Sequence, residues 1–250
     1  MPQDQVAAIQ PDAGSMSALS RVGNVIIEPT RTFADIAVRP GWWVPMILVA
    51  AFSLLYMIAF SQRVGWERMF RHAMETSADQ RVQNLTPEQR EQTIQMQVKF
   101  GGPIGTVMAV VMTPVVMIVV AGVFMFVFGT MLGGAVKFKQ ALGVVAHAWI
   151  PQLIAVCAYL LVMFLKSPDD FDLANPAGFN LGFYLNPQTT PKWFVSLGNS
   201  IDVFVFWTLL LLATGFSVTA KKSWVSSLVG VLFTWAVFVA IKVGWAAIFG

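Results

Sequence analysis

Charge is what this chain has least of. Charged residues make up 12% of 250 and hydrophobic residues 56%, whereas a soluble globular chain carries about 25% charged. A disordered polyampholyte is excluded, and a water-soluble domain is a poor fit. Cysteine is nearly absent: Cys157 stands alone, so neither an intramolecular disulfide nor a cysteine-rich metal site is available. Sixteen basic against thirteen acidic residues leave a net +3, too little and too scattered for the basic stripe of a nucleic-acid binder. Also missing are a phosphate-cradling glycine loop with its Lys-Ser/Thr, a nucleophile elbow and a His-Glu-x-x-His helix. The chain is therefore expected to be no enzyme and to carry no cofactor and no metal.

What it has instead is long oily runs. Residues 40–62, 100–136, 140–165, 203–220 and 223–241 contain no Asp, Glu, Lys or Arg. Each approaches or exceeds the roughly 20 residues a helix needs to cross a hydrocarbon core about 30 Å thick. They predict an all-α polytopic bundle of five transmembrane helices, at about 42–62, 104–133, 141–165, 202–220 and 223–242. A sixth charge-free run, 173–191, holds Asn175, Pro176, Asn180, Asn186, Pro187 and Pro191, whose backbone groups would go unpaired in lipid; it is expected to be a loop. Pro114 is expected to kink one long second span rather than divide two short ones.

Residues 1–16 are polar and expected to be a disordered tail, with 17–250 forming the membrane domain. The first twenty residues have neither a basic n-region nor an apolar core, so no cleavable signal peptide is expected. Leu19, Val22, Ile26, Phe33 and Ile36 fall at near-helical intervals on either side of Pro29, interleaved with Arg21, Glu28, Arg31 and Asp35. Two short amphipathic helices in the headgroup layer fit that pattern. Between the first two spans, Thr86-Pro87-Glu88-Gln89 is a helix start with a hydroxyl cap, a first-turn proline and Gln at the third position, which predicts a helical hairpin outside the bilayer.

Five spans place the termini on opposite faces. With the amino terminus cytoplasmic, the inner segments carry Arg21, Arg31, Arg39, Lys137, Lys139, Lys221 and Lys222, seven basic residues against nine outside. The raw count opposes that choice, but six of the nine lie in segment 63–99 among five acids. The tightest connections, Lys137-Phe138-Lys139 and Lys221-Lys222, contain no acid, while 166–202 carries four acids against two lysines. On this ground the amino terminus is expected inside a cell membrane and the carboxyl terminus outside it.

Few polar groups enter the spans, and none has a charge near its middle, which counts against ion-coupled transport. His147 is the one intramembrane imidazole; with Gln152, Thr113 and Thr130 it is a candidate polar site, an interhelical hydrogen bond being the plainer reading. Asp202, three residues after Asn199, either sits in the first turn of a helix capped by Asn199 or pairs with Lys166 to tie the third and fourth spans, or does both. Gly129, Gly133 and Gly134, and Ser226 with Gly230, form small-residue faces that permit close helix approach.

Three ordered blocks carry a family resemblance. The first is Ile27-Glu28-Pro29-Thr30-Arg31-Thr32-Phe33, leading through Arg39-Pro40-Gly41-Trp42-Trp43 to Pro45. The second is Gly133-Gly134-Ala135-Val136-Lys137-Phe138-Lys139-Gln140-Ala141, leading to Ala148-Trp149-Ile150-Pro151. The third is Ser200-Ile201-Asp202-Val203-Phe204-Val205-Phe206-Trp207 with Gly215 and Lys221-Lys222-Ser223. Together they resemble the Yip1-domain family of five-span membrane proteins, particularly its prokaryotic members. The resemblance implies a helical bundle with a cytoplasmic amino terminus. Eukaryotic members act in vesicle trafficking and bind prenylated Rab-type GTPases, but the Asp-Leu-Tyr-Gly-Pro and Gly-Tyr signatures of those members are missing here, so GTPase binding is not implied.

The leading expectation is a non-enzymatic membrane organising or adaptor protein. Arg21, Arg31, Arg39, Lys137, Lys139, Lys221 and Lys222 would form its surface for cytoplasmic partners or anionic lipid, solvated positive-inside anchors being the plainer reading. The expected partners are the bilayer itself and other membrane proteins or a second copy of the chain. The alternative is a carrier or channel for a neutral or amphipathic solute lined by Thr113, Thr130, His147 and Gln152.

Overall fold

The structure is a computed structural model that describes residues 16–75, 77, 80–173, 175–186 and 189–249; most of the expected disordered tail lies outside the described residues. Most of those residues are helical, with no strand among them and a single isolated bridge between Asn180 and Asp202. The chain is an all-α membrane helical bundle.

The chain opens with α1 (Ala18–Ile27) and α2 (Pro29–Val38). Ser17 caps α1 by accepting from the Ser20 amide, and Pro29 starts α2 at the position where its missing N–H costs nothing. The amphipathic pattern is realised, and the apolar face of α2 packs on the bundle. Phe33 and Ile36 are completely buried against later helices of the bundle, because α2 lies across the helices Phe138–Ala148 and Val203–Thr219.

Next come α3 (Trp43–Arg63), α4 (Trp66–Glu75), a single turn α5 (Gln80–Gln83) and α6 (Pro87–Met96), which runs on into α7 (Gly102–Met125). The expected cap at Thr86 is present in both directions: its hydroxyl accepts from the Gln89 amide at 3.2 Å, and its own amide donates to the Gln89 side chain at 2.9 Å. Arg71 of α4 bridges Glu67 and Glu91, which joins α4 to α6 as the expected hairpin. These bonds, Glu67 first, raise the already high pKa of Arg71.

The helix from Pro87 to Met131 is unbroken through Pro114, with π-helical turns at Gln97–Gly101 and Phe126–Met131. Its 45 residues measure about 68 Å at 1.5 Å per residue, more than twice the hydrocarbon core. Its polar amino-terminal third must therefore project from the membrane, so the helix extends well beyond the expected 104–133. Gly133, at φ 63°, closes it in the left-handed conformation that glycine adopts without strain.

The third hydrophobic unit is α8 (Phe138–Ala148) and α9 (Ile150–Leu165), joined at Trp149 ahead of Pro151. The described residues of 173–191 form turns and a short 3-10 piece rather than a helix long enough to cross, in keeping with the asparagines and prolines of the segment. The short α10 (Lys192–Gly198) that follows it was not expected. Then come α11 (Val203–Thr219) and α12 (Trp224–Phe249), the last running seven residues beyond the expected end at 242.

Among the described residues four helices are long and apolar enough to cross a membrane: Trp43–Arg63, Pro87–Met131, Phe138–Leu165 and Trp224–Phe249. The fifth apolar helix, α11, has 17 residues and extends about 25 Å. It is the core of the bundle, with Phe204, Leu209, Leu211, Leu212, Ala213 and Phe216 all buried, so it is enclosed by other helices on most sides. The Phe216 ring stacks on Phe128 at 4.5 Å between centroids and tilts against Phe124 at 5.1 Å, an offset-type packing worth about 0.5–1.5 kcal/mol beyond burial. A second cluster, around Phe60, Met57, Met163 and Phe171, joins the far ends of α3 and α9.

Candidate functional site

Two constructions stand out, one buried beneath α1 and the other at the lysine-bearing loops. Arg21 and Asp35 face each other across the α1–α2 turn, 14 positions apart in sequence and both enclosed (7% and 9% exposed). The Arg21 Nε donates to Asp35 Oδ2 at 2.6 Å, and another Arg21 nitrogen donates to the Arg39 carbonyl at 3.0 Å. Arg39 takes the other Asp35 oxygen. One carboxylate thus holds two guanidiniums, and the turn between α1 and α2 is fixed by charge-assisted bonds rather than by lipid contact.

This corrects the assignment of Arg21 to an exposed recognition surface: its charge is consumed inside the protein because α1 folds back on α2. Arg31 and Arg39 remain exposed, but each has a carboxylate partner, Glu28 at 3.1 Å and Asp35 respectively. Neither offers a free charge.

His147, at the end of α8, is 1% exposed. Its Nδ1 lies 2.8 Å from the Gly143 carbonyl; a carbonyl only accepts, so Nδ1 carries a proton, and in the neutral ring Nε2 is then the acceptor. That Nε2 has no hydrogen-bond partner among the described residues. It borders a space of about 10 Å³ lined by Ala18, Arg21, Gly41, Trp42, Val44 and Pro45, among others, roughly the room for one water.

Gln152, Thr113 and Thr130 take no part in that space. Gln152 donates to Thr208 at 3.3 Å, Thr113 donates to the Ala109 carbonyl of its own helix, and Thr130 is exposed. The four do not form one polar lining: Thr113 and Thr130 lie on the one long helix Pro87–Met131, the first bonded within it and the second exposed, while His147 and Gln152 meet Gly143 and Thr208 respectively. Among the described residues no group of three His, Cys, Asp or Glu side chains could hold a metal.

Asp202 is itself the helix cap. Its side chain accepts from the Phe204 amide at 2.8 Å and the Val205 amide at 3.0 Å, while Asn199 closes α10 instead. The expected ion pair to Lys166 is not formed. Lys166 lies over the Phe183 ring at 5.3 Å, and the carboxylate already has its donors at the helix end.

The lysine loops form the second construction. Lys137 precedes α8, where its amide donates to the Gln140 side-chain oxygen at 2.9 Å; the Gln140 nitrogen in turn donates to the Ala37 carbonyl at 2.6 Å, clamping the end of α2 to the start of α8. A methyl group built on Gly134 would lie 3.1 Å from the Ala220 Cβ, so the α7–α8 connection and the α11–α12 turn pack against each other. Lys137 and Lys139 therefore share one end of the bundle with Lys221 and Lys222. None of the four enters an ion pair among the described residues. The small-residue faces serve this packing too, with Gly230 of α12 set against Leu132 and Phe128.

Lys221 has φ 54°, a left-handed conformation that costs a side-chain-bearing residue about 1–2 kcal/mol. Sequence reading missed this strain because nothing in Lys-Lys-Ser marks the turn. It also missed the Arg21–Asp35 pair, although both residues lay on the inner side of an amphipathic pattern where an unpaired charge would be costly.

Residues 23–245 match the Yip1 domain, nearly the whole chain. The protein belongs to the Yip1 family. It is also similar to a Bacillus subtilis (strain 168) protein named "Membrane protein YknW", 21% identical over 237 residues, which cover 92% of this chain and 94% of that protein. No solved structure matches. The three sequence blocks that carry the resemblance fall at the α1–α3 bracket, the α7–α8 lysine loop and the α11–α12 unit, the elements that pack around the core helix.

Proposed function

We propose that this Yip1-family membrane protein is a non-enzymatic organiser or adaptor whose lysine-bearing end engages acidic partner surfaces or anionic headgroups on the cytoplasmic side. In this reading the chain crosses the bilayer five times, with its amino terminus inside. The observation that carries it is the packing together of two acid-free loops, which gathers Lys137, Lys139, Lys221 and Lys222 at one end. That Lys221 occupies a conformation glycine would adopt at lower cost adds support, since strain of this kind persists where a side chain has a use.

Replacing all four lysines by Gln is expected to abolish enrichment of spin-labelled phosphatidylglycerol over phosphatidylcholine at this end of the reconstituted protein. The reference magnitude is about 1 kcal/mol per basic residue near an anionic surface. Lys221→Gly separates binding from folding, and is expected to raise stability by up to about 1 kcal/mol while weakening that enrichment. Unchanged enrichment in the quadruple variant, at unchanged topology, would remove this surface from consideration.

A further inference from the structure

On the membrane-embedded flank, α3 and α9 run side by side in the same direction. Val44 and Pro45, at the start of α3, border His147 near the α8–α9 junction, and the carboxyl-terminal half of α3 meets the carboxyl-terminal half of α9. There they enclose an open groove of about 480 Å³, lined by Leu55, Ile58, Ala59, Leu160 and Phe164, with Gln62 and Arg63 at its rim. The volume falls within the range of sites that hold a small ligand. The walls are apolar because both helices are free of charge up to their ends, and Arg63 is the first charge after 23 uncharged residues.

Arg63 is exposed and, among the described residues, makes no ion pair or hydrogen bond. Its neighbours are otherwise engaged: Arg68 takes Asp169 at 2.7 Å, and Lys166, which ends α9, is held over Phe183. The groove therefore presents an acyl-sized apolar surface with one uncompensated guanidinium where hydrocarbon gives way to headgroups. Water does not fill such a surface in a bilayer, and a planar guanidinium with free donors matches phosphate in a forked geometry.

We infer that the α3–α9 groove is a binding site for one anionic phospholipid, whose acyl chain lies along Leu55, Ile58, Leu160 and Phe164 and whose phosphate is held by Arg63 with Gln62. A zwitterionic lipid brings its own ammonium to compete for that phosphate, whereas phosphatidylglycerol does not. The site lies at the opposite end of α8–α9 from the lysine loops and does not depend on them.

The test is native mass spectrometry of the full chain released from micelles supplied with equal amounts of phosphatidylglycerol and phosphatidylcholine. The chain is expected to retain one phosphatidylglycerol in preference. Arg63→Gln, a change at an exposed residue that leaves the core untouched, is expected to lower that preference about five-fold, the effect of one basic side chain at an anionic headgroup. Leu160→Trp fills the groove and is expected to reduce retention of both lipids, and Arg63→Gln is expected to have the same effect when Lys137, Lys139, Lys221 and Lys222 are all replaced by Gln, so that the lysine end contributes nothing to the preference. Equal retention of the two lipids by the unaltered chain, or a preference that survives Arg63→Gln, would overturn the assignment.

Discussion

Asp35→Ala is expected to destabilise the folded protein by about 3–5 kcal/mol, the cost of leaving a buried charge without its partner. The carboxylate is enclosed and serves both Arg21 and Arg39; once it is gone, the Arg21 guanidinium remains inside with only the Arg39 carbonyl to meet it. Reversible unfolding in mixed micelles, followed by circular dichroism, reads the loss directly. Arg39→Gln removes the other partner, whose side chain is 47% exposed, and is expected to cost under about 1 kcal/mol. The double replacement Arg21→Met with Asp35→Leu is expected to recover most of the stability, since an apolar pair of similar volume replaces a desolvated ionic one. Equal losses for Asp35→Ala and Arg39→Gln would show that the buried pair does not hold the bracket.

Gly215→Ala carries the second large effect, and its sign is diagnostic. In an unpacked helix the change from glycine to alanine stabilises by about 1 kcal/mol. Here the new methyl would overlap the Val144 side chain of α8 and lie 3.1 Å from the Phe33 ring of α2, at the point where three helices cross. The expected result is a loss of about 1–3 kcal/mol, the usual cost of overpacking a filled core. Combining it with Val144→Ala, which clears the overlapping methyl, is expected to be markedly non-additive and to restore part of the loss. If Gly215→Ala stabilises the protein, the crossing is looser than the contacts imply.

What the sequence made legible follows from which physical signal was local. The long apolar helices, the Thr86–Gln89 cap and the lack of a long helix in 173–191 depend on hydropathy and on residues three or four apart, so they could be read directly. The helical hairpin followed from the same cap. What the apolar face of α2 packs against could not be read in this way: an amphipathic face looks the same whether it meets headgroups or another helix, and only the packing of Phe33 and Ile36 against α8 and α11 decides it. Asp202 shows the limit from the other side. A carboxylate near a helix start satisfies a cap or an ion pair equally well in sequence, and its two amide donors settle the matter in space. The four lysines were identified by the absence of acid around them, but their gathering at one end depends on Gly134 meeting Ala220, a contact 86 positions apart in the chain.

The central claim is that the short, enclosed helix α11 crosses the bilayer along with the four longer helices, which places the two ends of the chain on opposite faces. In a Cys157→Ser background, single cysteines at Ser17, Lys139 and Phe249 can be labelled in intact cells with a membrane-impermeant thiol reagent, before and after permeabilisation. Five crossings predict that Phe249→Cys reacts in intact cells, while Ser17→Cys and Lys139→Cys react only once the membrane is opened. Ser17→Cys and Phe249→Cys reacting from the same side would contradict the account, because α11 would then be a core helix that does not traverse the membrane.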